Sequence, residues 1–442
     1  MNARAHGMTA FDAPSLRSSV SRVRSTEEIS FGDSLLSVLL GLYITTLLFE
    51  GVLRYVFATA GFPNALYVRD VIPVVSVLFL FLRALLADRR IELPIAIALV
   101  LLACHAAWAM VLGVNNFAIA FGLKIFMFIP YGMAMWPLVR RRWRFALTFA
   151  AAMFAVTAAG VFANFFLQKM PWEGLEYQTA FGSVTSTRLW WVPGGFSRLP
   201  GFARTSFDAA MILGITGMLA LLRFRHLAVR LSIIALGLVA IVLTTSKGMI
   251  LAFPVAASWL IAADRWPWMK GRVLVTTLCA VTAVLPLLMV GYNLSTSMHA
   301  SNFPAAINSV WERFSMVWPQ AFDLLPDGPA ALLGAGPGSI GTPQLYGAAP
   351  HHFNPADNLA IFLVVNFGLL GLGYYALPAW ILPKVADFES TEIHRAYVGM
   401  LVIAYGYGMS ISMIEESFFC LFFGLSLGIA AGAWLQQPKE SP

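Results

Sequence analysis

The sequence predicts an all-α integral membrane protein with about twelve transmembrane helices. Hydrophobic residues make up 59% of its 442 residues and charged residues only 12%, proportions outside the usual range for soluble domains. A helix needs roughly 20 mainly apolar residues to span a bilayer, and such segments recur from about residue 33 to residue 435. Most of the chain is therefore expected to lie in lipid.

Twelve segments are long and apolar enough to be predicted spans. They lie near residues 33–57, 68–87, 92–112, 117–138, 144–167, 206–222, 230–246, 248–263, 273–292, 357–382, 395–413 and 417–435. We take residues 33–435 as a single transmembrane domain, and residues 1–32 and 436–442 as cytoplasmic tails. The first tail is polar and rich in Ser and Arg, without the apolar run of a signal peptide, so it is predicted to be disordered.

The Lys and Arg residues between the spans predict the orientation. Nearly all of them fall in loops on one side, including the cluster from Arg140 to Arg144. Cytoplasmic loops are enriched in these residues, so both termini are expected in the cytoplasm of a bacterial inner-membrane protein. The net charge of +7 arises from these loops and not from one continuous face, so no nucleic-acid partner is expected.

This orientation leaves two long segments at the periplasmic face, near residues 168–205 and 293–356. Loops of this length within a compact domain are usually functional. Several basic residues stand at this face against the positive-inside rule, chiefly Arg188, Arg198, Arg204, Lys247 and Arg313. Guanidinium groups bind phosphate oxygens bidentately and Lys supplies a point charge, so the last four form a predicted diphosphate site, with Arg204 and Lys247 as its first members. Alternatively, each cation binds a lipid headgroup or a neighbouring carboxylate.

The second segment leads into a helix start with a distinctive spacing. Asp357-Asn358 is followed by nine residues, then Gly368, two residues and Gly371. Here the chain resembles the O-antigen ligase and Wzy-type polysaccharide polymerase superfamily, which carries His-Asn, nine residues, Gly, two residues and Gly after its large periplasmic loop. The resemblance covers about residues 195–375. It also includes the segment from Arg198 to Arg204, the Ser246-Lys247-Gly248 turn and the Gly334-Ala335-Gly336-Pro337-Gly338 stretch.

One position departs from the family pattern. The family's histidine, its proposed catalytic base, is Asp357 here, and His351 and His352 stand six and five residues earlier. A carboxylate or a neutral His can accept the proton of an acceptor hydroxyl, so all three residues are candidate bases. Alternatively, Asp357 caps the helix, because Asp before an apolar run is a favoured N-cap. Adjacent His residues are a poor metal signature, and no metal site is predicted.

Three further polar residues are candidate groups on the acceptor side of the site. Asn358 belongs to the motif, and Glu415 and Glu416 occupy the last periplasmic turn. The acidic pair either neutralises a basic site, helps to activate an acceptor, or lies solvated in the turn. The solvated turn is the simplest of these interpretations.

The resemblance implies a GT-C-like glycosyltransferase that acts at the periplasmic face on an undecaprenyl-diphosphate-linked oligosaccharide, without a cofactor. Its expected partners are this substrate and membrane lipids, with other polysaccharide export proteins as a further candidate. The Asp at the His position favours a polymerase of exopolysaccharide or O-antigen over a ligase that transfers the glycan to lipid A-core or protein. A transporter is another alternative, although the two related halves typical of transporters are not evident in the sequence.

Overall fold

The computed structural model describes residues 31–86, 93–179, 182–188, 191–192, 196–266, 271–291, 305–347 and 353–435. Its α-helices are α1 (Phe31–Leu48), α2 (Glu50–Thr59), α3 (Val71–Leu86), α4 (Leu93–Val111), α5 (Asn116–Arg141), α6 (Trp143–Leu167), α7 (Ser206–Arg223), α8 (Leu227–Leu243), α9 (Lys247–Arg265), α10 (Arg272–Gly291), α11 (Ala305–Glu312), α12 (Trp318–Phe322), α13 (Leu359–Phe388), α14 (Thr391–Gly408) and α15 (Ser417–Leu435). Apart from residues 31 and 32, the predicted tails lie outside the described residues.

These helices confirm an all-α membrane protein. Eight of the described helices are long and apolar enough to cross a bilayer, namely α3 to α7, α9, α13 and α15, and the bent pair of α1 and α2 would make a ninth. Two more apolar helices, α8 and α10, are shorter. Every one of the twelve predicted segments contains an α-helix, so the positions agree, while the number of crossings stays a prediction.

The first predicted span is bent into two helices. α1 and α2 meet at Phe49 with an angle of 83°. Glu50 and Arg54 of α2 are buried and form an ion pair of 2.7 Å, and the Gly51 N–H bonds at 3.0 Å to a backbone carbonyl of the loop before α7. The span predicted near residues 33–57 is thus two helices, because hydrocarbon cannot solvate these charges and the chain turns to pair them.

Small residues allow α5 and α15 to approach closely. Gly132 of α5 faces the backbone of Leu421, and Gly424 of α15 faces the backbone of Ile129. Contacts of this kind, in which a missing side chain lets two backbones approach, are typical of helix packing in membranes. Because α15 begins directly after the last predicted periplasmic turn, this packing positions that turn.

Ion pairs gather several predicted cytoplasmic residues at one end of the bundle. Asp264, near the end of α9, pairs with Arg230 of α8 and with Arg395 of α14. Arg140, near the end of α5, pairs at 3.1 Å with Glu389, which lies between α13 and α14. These helix ends therefore share a side, which agrees with the one-sided distribution of Lys and Arg in the sequence.

The two predicted periplasmic segments contain short elements of their own. The first holds two antiparallel pairs, β1 (Glu176–Thr179) with β2 (Gly182–Thr185) and β3 (Trp191–Val192) with β4 (Phe196–Ser197). In the second, α11 continues through a π-helix, Arg313–Val317, into α12. Strands of two to four residues are too short to show an alternating pattern, so the sequence offered no signal for them. The described 3-10 helices are Ala65–Asp70, Gly328–Leu332, Thr342–Tyr346 and Met413–Glu415.

Candidate functional site

The residue that caps α13 is Asn358, not Asp357. The Asn358 side-chain oxygen accepts hydrogen bonds from the N–H groups of Ala360 (2.8 Å) and Ile361 (3.1 Å). Its amide nitrogen donates to the Thr282 carbonyl at 3.1 Å, and the residue is fully buried. The capping hypothesis for Asp357 is therefore wrong, because the next residue supplies the cap. The Asp357 carboxylate is left to interact with other groups.

Asp357 lies in a backbone conformation that few residues adopt. Its φ is +46° and that of Ala356 is +59°, both in the left-handed region, which Asp and Asn enter more readily than other residues with a Cβ atom. The Asp357 carboxylate lies 3.1 Å from the guanidinium of Arg313. The Arg313 and Asp357 side chains are 22% and 26% exposed, so the pair is only partly shielded from solvent and from a substrate.

The first glycine of the motif shapes α13. Gly368 has a φ of +59°, and the helix kinks there. The kink leaves two carbonyls free to accept from the glycine-rich loop before the motif: Val365 accepts from the Ala335 N–H at 2.7 Å, and Asn366 accepts from the Gly336 N–H at 2.9 Å. The spacing of the motif therefore joins that loop to the helix whose start carries the site.

Replacing Gly368 by Ala should destabilise the protein. Gly368 has a φ of +59° and a ψ of −138°, a conformation that costs a residue with a Cβ atom about 1–3 kcal/mol. The new methyl group would also overlap the Leu332 carbonyl. We expect a lower melting temperature for purified Gly368→Ala and less of the protein in the membrane. Gly373→Ala is the matched control, because Gly373 lies on the same helix with open space around it. Equal melting temperatures for the two variants would contradict this role of Gly368.

Three of the predicted cations lie together at Asp357. Arg313 donates from its guanidinium to the Ser309 carbonyl at 2.8 Å, and Lys247 donates from Nζ to the Ser309 hydroxyl at 3.2 Å. Arg198 is near enough to interact with the charges of Arg313, Lys247 and Asp357. We call Asp357, Arg198, Lys247 and Arg313 the Asp357 cluster.

The cluster contains more positive than negative charge. It combines three cations with one carboxylate, and Glu312 lies at its edge. The Nε atoms of Arg198 and Arg313 are buried and have no hydrogen-bond partner among the described residues. The Arg198 guanidinium lies 5.2 Å from the centre of the Phe207 ring. Such an arrangement favours an anion with several oxygens and more than one negative charge, as a diphosphate has.

Burial changes the titration of two members of the cluster. Burial raises the pKa of the Asp357 carboxyl above its ordinary value; Arg313 opposes the rise, whereas Glu312 adds to it. Burial also lowers the pKa of the Arg198 guanidinium. A general base works best when its pKa lies near the working pH, so the raised pKa of Asp357 suits this role better than that of an exposed carboxylate.

Arg204 lies in a different group of charges. The side chains that interact with its charge include Arg54, Glu50, Arg188 and Glu416, and burial lowers the pKa of its guanidinium. The Arg204 Nε atom is buried, and no residue that the structure describes accepts a hydrogen bond from it. We call these five residues the Arg204 cluster. The expectation that Arg204 and Lys247 are the paired core of one phosphate site therefore differs from their placement in the structure.

The backbone of the segment from residue 198 to residue 204 explains this separation. The Leu199 N–H bonds to the Leu243 carbonyl at the end of α8, at 3.4 Å. At the other end of the segment, the Phe202 carbonyl accepts from the Gly51 N–H at the start of α2, at 3.0 Å. The segment thus runs from α8 to α2, which places Arg198 in the Asp357 cluster and Arg204 in the Arg204 cluster.

Ion pairs and one tyrosine hold the Arg204 cluster in place. Glu50 pairs with both Arg54 and Arg69, each at 2.7 Å. Arg54 also donates at 3.1 Å to the Tyr177 hydroxyl, which joins β1 to α2. Among the described residues Arg204 forms no salt bridge, so its guanidinium keeps donors for a further anion.

The two glutamates of the last turn are only partly exposed, and both make specific contacts. Glu415 accepts hydrogen bonds from the Ser412 hydroxyl and from the Thr342 N–H, both at 2.5 Å. Glu416 shares a hydrogen bond with Asp208, in the first turn of α7. Burial raises the pKa of both glutamates, and the Asp208 carboxylate raises that of Glu416 further. The solvated-turn interpretation is therefore wrong, because Glu415 fixes the loop before the motif and Glu416 is paired to α7.

Comparison with known families supports the motif. The O-antigen ligase family model matches residues 231–376, which is 146 of the chain's 442 residues. Residues 231–376 are similar to this family. The resemblance deduced from the sequence is thereby confirmed for this segment, which contains every member of the Asp357 cluster except Arg198. Enzymes of this family are glycosyltransferase-like, act on lipid-linked glycans in membranes, and include ligases and related polymerases. No curated protein matches the chain.

Two predicted site residues lie outside the described part of the chain. Two residues that contact the site were not predicted from the sequence. His351 and His352 lie outside the described residues. Ser309, which joins Lys247 to Arg313, belongs to no motif, so only the folded structure reveals it. Asp208 forms a capping box with Thr205, a pattern visible in the sequence, but its contact with the turn before α15 is not visible there.

Proposed function

We propose that the chain is a glycosyltransferase that polymerises undecaprenyl-diphosphate-linked oligosaccharide repeat units into exopolysaccharide or O-antigen. The observation that carries this proposal is the Asp357 cluster, in which three cations adjoin one carboxylate at the start of the helix with the family motif. The proposal includes twelve spans, a GT-C-like fold, and an inner-membrane location with the active site facing the periplasm.

The proposed reaction transfers a sugar from a lipid diphosphate to a hydroxyl group of an acceptor glycan. Asp357 accepts the hydroxyl proton while the oxygen attacks the anomeric carbon, and the bond from that carbon to the diphosphate oxygen breaks. The lipid diphosphate leaves with both electrons of that bond, so negative charge grows on its oxygens. Arg198, Lys247 and Arg313 stabilise this charge. Because a diphosphate is already a good leaving group, the chemistry requires no nucleotide sugar.

The ion pair between Arg313 and Asp357 fits a switch on substrate binding. The Arg313 guanidinium lies 3.1 Å from the Asp357 carboxylate. Phosphate oxygens attract the same guanidinium bidentately and so compete with the carboxylate for it. Arg313 then moves its charge towards the leaving group, and Asp357 is released to act as the base.

The Arg204 cluster supports a polymerase over a ligase. A polymerase that joins lipid-linked repeat units holds two lipid diphosphates at once, one on the growing chain and one on the incoming unit. Two separate groups of cations suit two such groups, with arginines from one short segment, Arg198 and Arg204, in each. A ligase needs only one lipid diphosphate in its reaction.

A reconstituted reaction tests this proposal. Purified protein in lipid vesicles is given one defined undecaprenyl-diphosphate-linked repeat unit and no other acceptor. We expect a ladder of products that differ by one repeat unit. If no ladder forms, and adding lipid A-core yields a single transferred glycan instead, the ligase is correct. That second candidate rests on the description of the matched family model as O-antigen ligase.

The orientation has its own test, a set of reporter fusions. Reporters placed after about residues 142, 227 and 268 should behave as cytoplasmic, because the basic loops cluster there. Reporters near residues 180 and 320 should behave as periplasmic. Periplasmic labelling of the loop at residues 140–144 would overturn the orientation, and the proposed periplasmic site with it.

A further inference from the structure

A side cavity is lined by none of the residues of the two charge clusters. It has a volume of about 380 Å³, and its walls come mainly from α1, α5 and α6, with α7, α14 and α15 behind them. Val38, Leu42 and Phe145 line it and are themselves exposed. The cavity therefore opens sideways, between α1 and α6, onto the apolar outer face of the bundle.

The interior of the cavity offers hydrocarbon and few hydrogen bonds. Two hydroxyl groups in its wall are already used: Ser37 donates to the Asp33 carbonyl at 2.8 Å, and Thr216 donates to the Ile212 carbonyl at 2.5 Å. Both acceptors lie on the same helix as their donor. An occupant of this cavity therefore gains by burying apolar surface and not by polar contacts.

One end of the cavity is basic. Arg142, in the turn between α5 and α6, is part of its lining and donates to the Ser34 hydroxyl at 3.3 Å. Arg144 is exposed beside it. In the same turn Arg140 and Arg141 form ion pairs with carboxylates, whereas Arg142 and Arg144 form none with the described residues.

We propose that this cavity binds one acyl chain of an anionic phospholipid, whose phosphate lies at Arg142 and Arg144. A narrow apolar slot with a basic rim between membrane helices matches the chemistry of such a lipid, since the tail fills the slot and the phosphate meets the arginines. The slot is too small for a helix of a partner protein, which is about 10 Å wide. This lipid site is separate from the proposed glycan chemistry and does not depend on it.

Gly41 allows the slot to be closed with little disturbance. It lies in the cavity wall, and a Cβ atom added there meets no other atom within 4 Å. Gly41→Leu therefore places a side chain in the slot, where it competes with the acyl chain. Gly373→Leu is the matched control, since Gly373 also has open space around it on a membrane helix but does not line this cavity.

Native mass spectrometry of the purified protein with added phosphatidylglycerol or phosphatidylcholine tests the site. We expect one phosphatidylglycerol to bind preferentially to the wild-type protein and to Gly373→Leu, with binding to Gly41→Leu weaker by about tenfold or more, because two or more methylene groups lose their buried place. Arg142→Gln should remove the preference for phosphatidylglycerol over phosphatidylcholine.

Two results would overturn the proposal. In the first, the wild-type protein binds neither lipid, or binds both equally; this measurement does not depend on whether a variant folds. In the second, Gly41→Leu binds phosphatidylglycerol as tightly as Gly373→Leu does. Polymer formation is not measured in either case, so failure of the glycosyltransferase proposal cannot be mistaken for failure of this one.

Discussion

Asp357→Asn should lower polymer formation by about 10²–10⁴-fold, the usual contribution of general acid–base catalysis, while the protein stays folded in the membrane. Asn has nearly the shape of Asp and also tolerates the left-handed backbone found at this position, where φ is +46°. Asn358 continues to cap α13 in the variant. The substitution therefore removes the proton acceptor and the charge that pairs with Arg313, and it leaves the backbone and the cap in place. Polymer yield at matched expression measures the effect.

The matched controls separate the base from its neighbours. Asp323→Asn changes an exposed aspartate of the same predicted periplasmic segment and should leave polymer formation unchanged. His351→Ala and His352→Ala should also retain activity. If either His variant is inactive while Asp357→Asn is active, the base is that histidine. Full activity of Asp357→Asn, His351→Ala and His352→Ala would show that the active site does not lie at this helix start.

The pH dependence of the reaction gives a second readout of the same residue. A base acts in its deprotonated form, so activity should fall as the pH falls through the pKa of Asp357. Burial raises that pKa above the ordinary value of about 3.9, and Arg313 lowers it again. Arg313→Gln should therefore shift the acidic limb of the profile of kcat/KM to higher pH, besides lowering the rate. If the acidic limb of the profile stays in place or moves to lower pH in Arg313→Gln, the assignment of Asp357 as the base is contradicted.

The membrane-embedded part of the fold was predictable because the bilayer imposes it. Each span must present about 20 apolar residues, and this pattern is visible without knowledge of any contact. All twelve segments found in this way contain helices. The bend at Phe49 was not predictable, because it depends on partners of Glu50 and Arg54 that lie far away in the chain, such as Tyr177.

The site was predictable to the extent that local pattern determines it. The motif spacing identified the start of α13, and the positive-inside rule singled out the cations that gather at Asp357. Asp and Asn are equally good caps, so the sequence could not show that Asn358 and not Asp357 is the cap. The division of Arg198 and Arg204 between two clusters depends on backbone bonds to α8 and α2, which no local pattern encodes.

Arg204→Ala and Lys247→Ala should each nearly abolish polymer formation while leaving the protein in the membrane. Removing one donor that stabilises a developing anion typically lowers the rate by about 10²–10³-fold. Arg204→Lys should also be impaired, because Lys keeps the charge but loses the bidentate fork. Lys169→Ala is the control, since it removes an exposed cation from the same predicted periplasmic segment as Arg204. Wild-type activity in Arg204→Ala or Lys247→Ala would remove that residue from the phosphate-binding groups.

The two clusters make a sharper prediction about how such losses combine. Arg198 and Arg313 interact within the Asp357 cluster, so Arg198→Lys and Arg313→Lys act on one bound phosphate group and their effects should not multiply. Arg198 and Arg204 lie in different clusters, so Arg198→Lys and Arg204→Lys should multiply in the double variant. The measurement is the rate of repeat-unit addition by the two double variants and their parents. If the second pair also fails to multiply, both arginines serve a single phosphate group, and the support that two clusters lend to a polymerase is lost.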